Sequence, residues 1–264
     1  MRNDFETITL EEVEPHVVVL TLNRPDRSNA FNTQMGLELG EVFRGFYVNQ
    51  EDLRCIVMTG AGEKAFCAGG DLKERNEMTN EQWQQQHAAF EQKTLAMMDC
   101  PIPIIAAVNG AAYGGGCELA LGADFIYASR NARFAQTETR LGIMPGAGGT
   151  QQLPRAVGVR RAKELILTAE PFTAEEAYEW GMVNKLCEQE SLMDEALTAA
   201  RKIAANGPIA IQQAKKSIGM ATQLDLKSGY AYEIEAYNRM VPTEDRLEGV
   251  RAFNEKRKPD FKGK

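Results

Sequence analysis

The sequence places three glycines between an apolar run and an amphipathic run near the middle of the chain. Residues 102–108 have strand character, and the pattern after Gly114-Gly115-Gly116-Cys117-Glu118 predicts a helix. Glycine lets a ligand lie against the main chain, and the first amides of a helix have no internal partner. Glu118 follows Gly115 by one helical turn. The stretch predicts either a site that holds an anion beside a carboxylate or a tight turn with close packing.

Composition narrows the class of protein. The chain has 264 residues, of which 44% are hydrophobic, and a net charge of -7, so it fits one large domain or one domain with an appendage. An acidic chain is unlike a generic nucleic-acid binder, which needs a concentrated basic face. No apolar run reaches the roughly 20 residues of a membrane span, and the first residues lack signal-peptide character. We expect a cytoplasmic protein.

Cysteine and histidine usage excludes several kinds of site. The five cysteines are an odd number without C-x-x-C spacing, which predicts reduced, buried thiols. The only histidines are His16 and His87, and we interpret both as structural. A histidine-based triad and a bound metal are therefore not expected.

The pattern along the chain alternates short strands with helices and then becomes helical. Strands are predicted at residues 16–23, 53–59, 102–108, 124–129 and 132–135. Helix starts are predicted at Asn32, at Thr79 with Gln82, at Thr173 with Glu176 and at Ser191 with Asp194. We divide the chain into a core, residues 1–200, and a helical region, residues 201–264, with a hinge near Asn206-Gly207-Pro208.

Several motifs resemble one known family over nearly the whole chain. They are AFCAGGDLKE, NGAAYGGGCELALGADF, ARFAQTETRLGIMPGAGGTQQLPRAVG and the tail PTEDRLEGVRAFNEKRKPDFKGK. Together they resemble the crotonase superfamily, in its enoyl-CoA hydratase branch. The DLKER and PTEDRLEG segments look most like the methylglutaconyl-CoA hydratases, which include an AU-rich RNA-binding member.

The resemblance implies an α/β fold of the ClpP/crotonase type. In that fold a spiral of strand-strand-helix repeats is followed by a helical C-terminal region that mediates trimer formation. The strand-strand-helix pattern read from the residues agrees with it. The implied assembly is a homotrimer or a hexamer of two stacked trimers. Apolar residues of the tail, such as Tyr230, Tyr232, Ile234, Tyr237, Val250 and Phe253, would then be covered by a neighbouring subunit.

The resemblance also implies a chemistry and its residues. The family holds a thioester carbonyl between two backbone amides, which correspond to those of Gly70 and Gly115 and would stabilise an enolate. Its two catalytic glutamates correspond to Glu118 and Glu138. Such a pair serves to hold a water, deprotonate it as it attacks C3 and deliver a proton to C2. No cofactor is implied beyond the coenzyme A of the substrate.

Binding of coenzyme A is implied along two further segments. The positions assigned to substrate or CoA are Arg27, Ser28, Ala68, Gly70, Asp71, Leu72, Lys73 and Gly115. Residues 142–149 should border the acyl pocket. Lys256 and Lys258 of the tail either contribute to the CoA site of a neighbouring subunit or form a solvated basic tail.

Two alternatives to a short-chain or branched enoyl-CoA hydratase stay open. One is a CoA-thioester isomerase on the same fold, although the presence of both Glu118 and Glu138 favours water addition. The other is a methylglutaconyl-CoA hydratase with an RNA-binding side activity. The helix attributed to RNA contact is lysine-rich in that relative, whereas residues 33–50 here carry only Arg44 as a cation. RNA binding is therefore not expected.

Overall fold

The computed structural model describes residues 4–264. The strands are β1 Ile8–Glu14, β2 Val17–Leu22, β3 Cys55–Gly60, β4 Ala65–Cys67, β5 Ile104–Val108, β6 Ala111–Tyr113, β7 Phe125–Ser129, β8 Arg133–Ala135, β9 Phe172–Thr173 and β10 Lys185–Cys187. The α-helices are α1 Thr33–Val48, α2 Leu72–Arg75, α3 Asn80–Met98, α4 Gly115–Leu121, α5 Gly149–Val157, α6 Val159–Thr168, α7 Ala174–Glu179, α8 Leu192–Ala204, α9 Pro208–Met220, α10 Leu226–Asn238 and α11 Glu244–Glu255.

Successive strands enter two different sheets. The larger sheet has the order β1-β2-β3-β5-β7-β10, and the smaller has the order β4-β6-β8-β9. The pairs β3–β4, β5–β6 and β7–β8 therefore each give one strand to each sheet before the chain continues into helices. Neighbours along β2-β3-β5-β7-β10 and β4-β6-β8 pair in parallel, as crossover connections require. This is the spiral of strand-strand-helix repeats that the resemblance implies, and the prediction is confirmed.

Apolar residues cover both faces of the larger sheet. In β2 and β3 the alternation of side chains sends Leu20 and Ile56 towards the main core, and Val19 and Val57 to the opposite face. Buried Leu192, Ala196, Ala200 and Ala204 of α8 cover that second face. Because a strand that is buried on both faces has apolar residues at nearly every position, β2, β3 and β5 could be predicted from their continuous apolar runs.

Local signals account for most helix starts. The side chain of Asn32 accepts from the amide of Met35, and the capping boxes at Thr79 and Thr173 are both formed, which confirms these predictions. The predicted cap at Ser191 is wrong in its hydrogen bond, although α8 does begin at Leu192. Because Ser191 ends a 3-10 turn with helical dihedral angles, its hydroxyl donates back to the carbonyl of Glu188.

The predicted path from the central strand directly into a helix needs a correction. After β5 the chain forms the three-residue strand β6 before Gly114, so the glycines follow a second strand. A segment this short and rich in small residues has too few apolar positions to show a period.

The last three helices differ from the rest of the chain. Residue 200 lies within α8, which packs on the larger sheet, so the predicted boundary falls inside a helix of the core, and the last three helices begin at Pro208. That residues 1–200 and 201–264 form two separate domains stays a prediction. Helix α9 has no buried residue, and α10 and α11 leave large apolar side chains exposed, namely Leu226, Tyr230, Ile234, Tyr237, Leu247, Val250 and Phe253. Tyr232 is half-buried.

Within residues 4–264, no helix combines the length and the apolar character needed to cross a membrane.

Candidate active site

Residues 114–118 carry one of the two predicted amides. Gly114 has a φ of 52° and precedes α4, and the amide of Gly115 donates no hydrogen bond within the described residues. As the first residue of a helix, Gly115 has no internal acceptor for its N–H, which lies at the positive end of the helix dipole. A Cβ added to Gly115 would meet only Phe31, at 3.7 Å, and Gly69, at 4.0 Å. Space is therefore open on the side of Gly115 where a side chain would lie.

Residues 67–71 carry the other predicted amide and approach the first closely. Gly69 has a φ of +93°, and a Cβ there would lie 2.7 Å from the carbonyl oxygen of Tyr113 and 3.5 Å from the nitrogen of Gly115. Only glycine fits such a conformation and such an approach. The amide of Gly70 also donates no hydrogen bond within the described residues. The fold thus brings the two predicted donors to one place.

Phe31 fixes residues 67–71 from the side. Its amide donates to the carbonyl of Gly69 and its carbonyl accepts from the amide of Asp71, both at 2.7 Å, in a single parallel bridge with Gly70. Its ring also lies nearest to Gly115. One residue therefore contacts both segments. Its role could not be predicted from the sequence, because an apolar residue in a loop belongs to no motif.

Glu118 is buried and anchored by a neighbouring loop. It is 5% exposed, and its Oε1 accepts from the amides of Ala147 and Gly149, each at 2.8 Å. These amides lie in the glycine-rich residues 142–149, which the sequence analysis expected beside the acyl pocket. Through these two hydrogen bonds the loop orients the carboxylate of Glu118, and its place beside the acyl pocket stays a prediction.

Glu138 opens the 3-10 turn Glu138–Leu141 after β8 and is 8% exposed. Burial, followed by the nearby charge of Glu118, raises the pKa of Glu138 to about 7. Its Oε2 is buried without a hydrogen-bond partner among the described residues. Its Oε1 would lie 3.0 Å from a Cβ on Gly114. Glu138 is therefore not a solvated loop residue, and its raised pKa lets its carboxyl group gain or lose a proton in the neutral pH range.

Arg75 lies in the same region. A Cβ on Gly70 would be 3.0 Å from its Nη1, its Nε donates to Gln86 at 2.8 Å, and its guanidinium stacks on Trp83 at 4.5 Å. Burial lowers the pKa of Arg75, whereas the charges of Glu74, Glu138 and Glu118 raise it. The guanidinium therefore acts on both candidate catalytic carboxylates.

The predicted CoA residues lie on two adjoining loops. Arg27 ends the 3-10 turn Pro25–Arg27, its side chain is 46% exposed, and its Nε is 3.4 Å from Asp26. The amide of Ala68 donates to the carbonyl of Ser28 at 3.0 Å, which joins the first loop to residues 67–71. The fold therefore brings Arg27, Ser28 and Ala68 together along one edge of the site.

The remaining three predicted CoA residues follow Gly70. Asp71 caps α2 by accepting from the amides of Lys73 and Glu74, and it pairs with Arg24 at 2.9 Å. Its side chain therefore has a structural role, and a contact with CoA would come from its main chain. Leu72 and Lys73 are exposed. Their contacts with CoA stay predictions.

Further predictions concern the cysteines and metal binding. All five cysteines are free and buried, as expected. In residues 4–264, no group of histidine, cysteine, aspartate and glutamate side chains is arranged to hold a metal ion. Buried Gln136, whose amide has no hydrogen-bond partner in the described part of the chain, and buried Lys93 were not identified from the sequence.

Known proteins match the chain over most of its length. The family described as Enoyl-CoA hydratase/isomerase has a sequence model that matches residues 12–264. A short-chain-enoyl-CoA hydratase of Clostridium acetobutylicum is 42% identical over 97% of this chain and 97% of its own length. The mitochondrial enoyl-CoA hydratase of Pongo abelii is 42% identical over 98% of this chain and 89% of its own. The crystal structure of an enoyl-CoA hydratase from Bacillus anthracis has a TM-score of 0.95 at 44% identity, covering 98% of this chain and 100% of its own.

Proposed function

Because the chain belongs to the enoyl-CoA hydratase/isomerase family, we propose that it is a hydro-lyase that adds water across the 2,3 double bond of a short or branched enoyl-CoA thioester. The observation that carries this proposal is the pair of buried glutamates beside two open backbone amides. Glu118 is held by two N–H groups, whereas Glu138 has a pKa raised to about 7. Two carboxyl groups with different environments are suited to act as base and acid in one reaction.

The amides of Gly70 and Gly115 supply the electrostatic part of the mechanism. Attack of water at C3 moves negative charge onto the thioester oxygen, which becomes an enolate oxygen. Two preorganised donors stabilise that charge without reorganising, and loss of one such donor typically costs about 3 kcal/mol in an acyl-transfer site. The open space beside Gly115 supports a carbonyl oxygen at this position.

The glutamates supply the proton transfers. Glu118, as the carboxylate held by Ala147 and Gly149, takes a proton from the attacking water. Glu138, in its protonated form, delivers a proton to C2 of the enolate. Water has then added across the double bond, and each carboxyl group has changed its protonation state once.

Three variants test this mechanism. Glu118→Gln and Glu138→Gln should each lower hydration of crotonyl-CoA by orders of magnitude, followed as the loss of conjugated-thioester absorbance with the product identified by mass. The double variant should be little slower than the slower single variant, because residues that act as a unit are not additive. Undiminished hydration by Glu138→Gln would contradict the two-carboxylate mechanism.

An isomerase on the same fold is the second candidate. It would move a proton between C2 and C4, for which one glutamate suffices, and it would form no 3-hydroxyacyl product. A wild-type protein that adds water to no enoyl-CoA, yet interconverts 2-enoyl and 3-enoyl esters, would establish it.

The position of Arg75 supports a substrate whose acyl group carries a carboxylate, as the acyl group of methylglutaconyl-CoA does. Its guanidinium lies against Gly70, and its Nη groups donate to no acceptor among the described residues. Arg75→Ala should therefore reduce turnover of methylglutaconyl-CoA far more than turnover of crotonyl-CoA. Equal losses for the two substrates would remove Arg75 from this role.

We also propose that the protein works as a homotrimer or as a dimer of trimers. The exposed apolar residues of α10 and α11, among them Tyr230, Tyr237 and Phe253, support an interface between copies. Light scattering at micromolar concentration should give a trimeric or hexameric mass. An active monomer would contradict it.

Nucleic acid is not part of the proposal. On α1, the carboxylate of Glu38 is buried and accepts from the amides of Glu6 and Thr7. Arg44 is the one cation of this helix, and it is exposed. One arginine is a poor phosphate-binding face. Lys256 and Lys258 are exposed, and a role in a neighbouring CoA site stays a prediction.

A further inference from the structure

Lys93 is a buried cation that the proposed mechanism does not use. It lies on the stripe of α3 that also buries Gln86, Phe90 and Met97, and it is 3% exposed. Lysine is almost never fully buried unless it is paired. In the described part of the chain its ammonium group has neither an ion-pair partner nor a hydrogen-bond acceptor. A neutral side chain such as methionine would fill the same space without burying a charge.

The ammonium of Lys93 lies behind the two glycine-containing segments. Its Nζ is 5.1 Å from the centroid of the Phe31 ring. Phe31 bonds to residues 69 and 71 through its main chain, and its ring lies nearest to Gly115. Lys93 therefore contacts the same aromatic ring that lies against both glycine-containing segments.

Lys93 does not belong to the acyl side of α3. A Cβ on Gly146 would lie 2.6 Å from Nε2 of His87, and one on Gly148 would lie 3.5 Å from Cε of Met98, so these residues mark the face of α3 towards residues 142–149. At about 100° per residue, Lys93 is displaced roughly 120° around the helix from that face. Direct contact between Lys93 and the acyl chain is therefore not expected.

Burial and nearby ionisable groups change the pKa of Lys93 in opposite directions. Burial lowers the pKa of Lys93 to about 8, and the groups that oppose this shift are Glu118 and the thiol of Cys67. Burial also raises the pKa of Cys67 to about 12, so this thiol is neutral at pH 7. Among the described residues, Glu118 is then the anion whose charge acts on the ammonium at neutral pH.

We propose that Lys93 is an electrostatic positioning residue, whose ammonium favours negative charge on the thioester oxygen between Gly70 and Gly115. It acts across Phe31 and touches neither substrate nor the reacting atoms. The inference rests on the proposed hydration, since it assigns a cation to the enolate of that reaction. At the cost of burying a charge, the site gains a positive potential that is screened less than that of a surface lysine.

Acetoacetyl-CoA provides a test that does not depend on turnover. Bound at such a site, it loses a C2 proton to a site carboxylate or to solvent, and the resulting enolate has its own ultraviolet absorbance. Lys93→Met should lower the enolate fraction of bound acetoacetyl-CoA at least tenfold at pH 7, whereas its affinity for butyryl-CoA should change less than threefold. Lys93→Arg, which keeps the charge, should restore much of the enolate.

Lys216→Met is the matched control, because Lys216 also lies over an aromatic ring, that of Tyr232 at 5.7 Å, but in the helical region. It should leave the enolate fraction unchanged. Thermal unfolding should show that Lys93→Met is no less stable than wild type, which separates an electrostatic effect from misfolding.

An unchanged enolate fraction in folded Lys93→Met would overturn the role of Lys93, whether or not the protein hydrates enoyl-CoA. Conversely, a wild-type protein that enolises acetoacetyl-CoA in a Lys93-dependent way but adds no water to any enoyl-CoA would support Lys93 while refuting the proposed hydration.

Discussion

Residues 67–71 and residues 114–118 bring equivalent amides to one site but are built differently. The first segment is an extended loop that Phe31 holds by strand-like hydrogen bonds, with Asp71 capping the following helix. The second is the start of a helix pressed so closely on its neighbour that a Cβ on Gly116 would overlap the carbonyl oxygen of Cys67. Identical residue types therefore do different work at adjacent positions, since Gly116 permits packing and Gly115 leaves room for a ligand.

The largest effect is expected from Gly116→Ala. The new Cβ would meet main-chain atoms of Cys67, which cannot rotate away, so the two segments must separate. We expect a loss of more than about 3 kcal/mol in the free energy of unfolding, typical of severe overpacking. Chemical denaturation measures it. A variant as stable as wild type would show that the two segments are not locked together.

Gly115→Ala is the matched substitution one residue earlier. Its Cβ has no contact shorter than 3.7 Å, so the fold should persist, but the methyl group would take up part of the open space proposed for the thioester oxygen. Hydration of crotonyl-CoA should fall about a hundredfold, in the range for loss of an oxyanion donor. Far-ultraviolet circular dichroism and kinetics together check this. Full activity would remove Gly115 from the oxyanion position.

Asp71→Asn tests the support of the first segment. Burial by itself would raise the pKa of Asp71, but the hydrogen bond from Arg24 and those from the helix amides outweigh it, so the pKa is lowered. A lowered carboxyl pKa stabilises the fold above the unfolded pKa of about 4, and this stabilisation is lost as pH falls through the folded value. The variant should lose about 2 kcal/mol at pH 7 and less at pH 3, measured by urea denaturation.

The smallest effect is expected in the pH profile of kcat/KM, through the interaction of Arg75, which lies beside residues 67–71, with Glu138, which lies beside residues 114–118. Glu138 must be protonated to deliver its proton, and with a pKa of about 7 its acid form declines above that pH, so kcat/KM should fall about tenfold per unit there. The Arg75 charge lowers the pKa of Glu138. Arg75→Met should therefore move this limb upward by less than about one pH unit. A downward shift would mean that Arg75 does not act on Glu138.

The sequence was sufficient wherever a local pattern carries the information. Long apolar runs predicted β2, β3 and β5, and side chains three residues apart predicted the capping boxes at Thr79 and Thr173. The motif around Gly114 and Glu118 predicted a helix start next to a carboxylate, and the structure has both. In each case the interaction that forms the structure lies within a few residues of the chain.

Contacts between distant segments could not be predicted in the same way. The short strands β4, β6 and β9 form because neighbours far along the chain pair with them. Phe31 and Lys93 resemble ordinary residues of a loop and of an exposed helix until the spiral places them behind residues 67–71. Likewise, the raised pKa of Glu138 is a property of its burial and of the charge of Glu118. No spacing in the sequence encodes these proximities.

The buried ammonium of Lys93 also bears on how such a chain responds to selection. Its pKa of about 8 lies below the ordinary value of 10.5, so burying its charge opposes folding by about 3 kcal/mol at pH 7. A library selected for heat resistance alone should therefore enrich methionine or leucine at position 93, whereas a library selected for turnover should retain the lysine. Survival at high temperature and enolate chemistry would thus drive this position in opposite evolutionary directions.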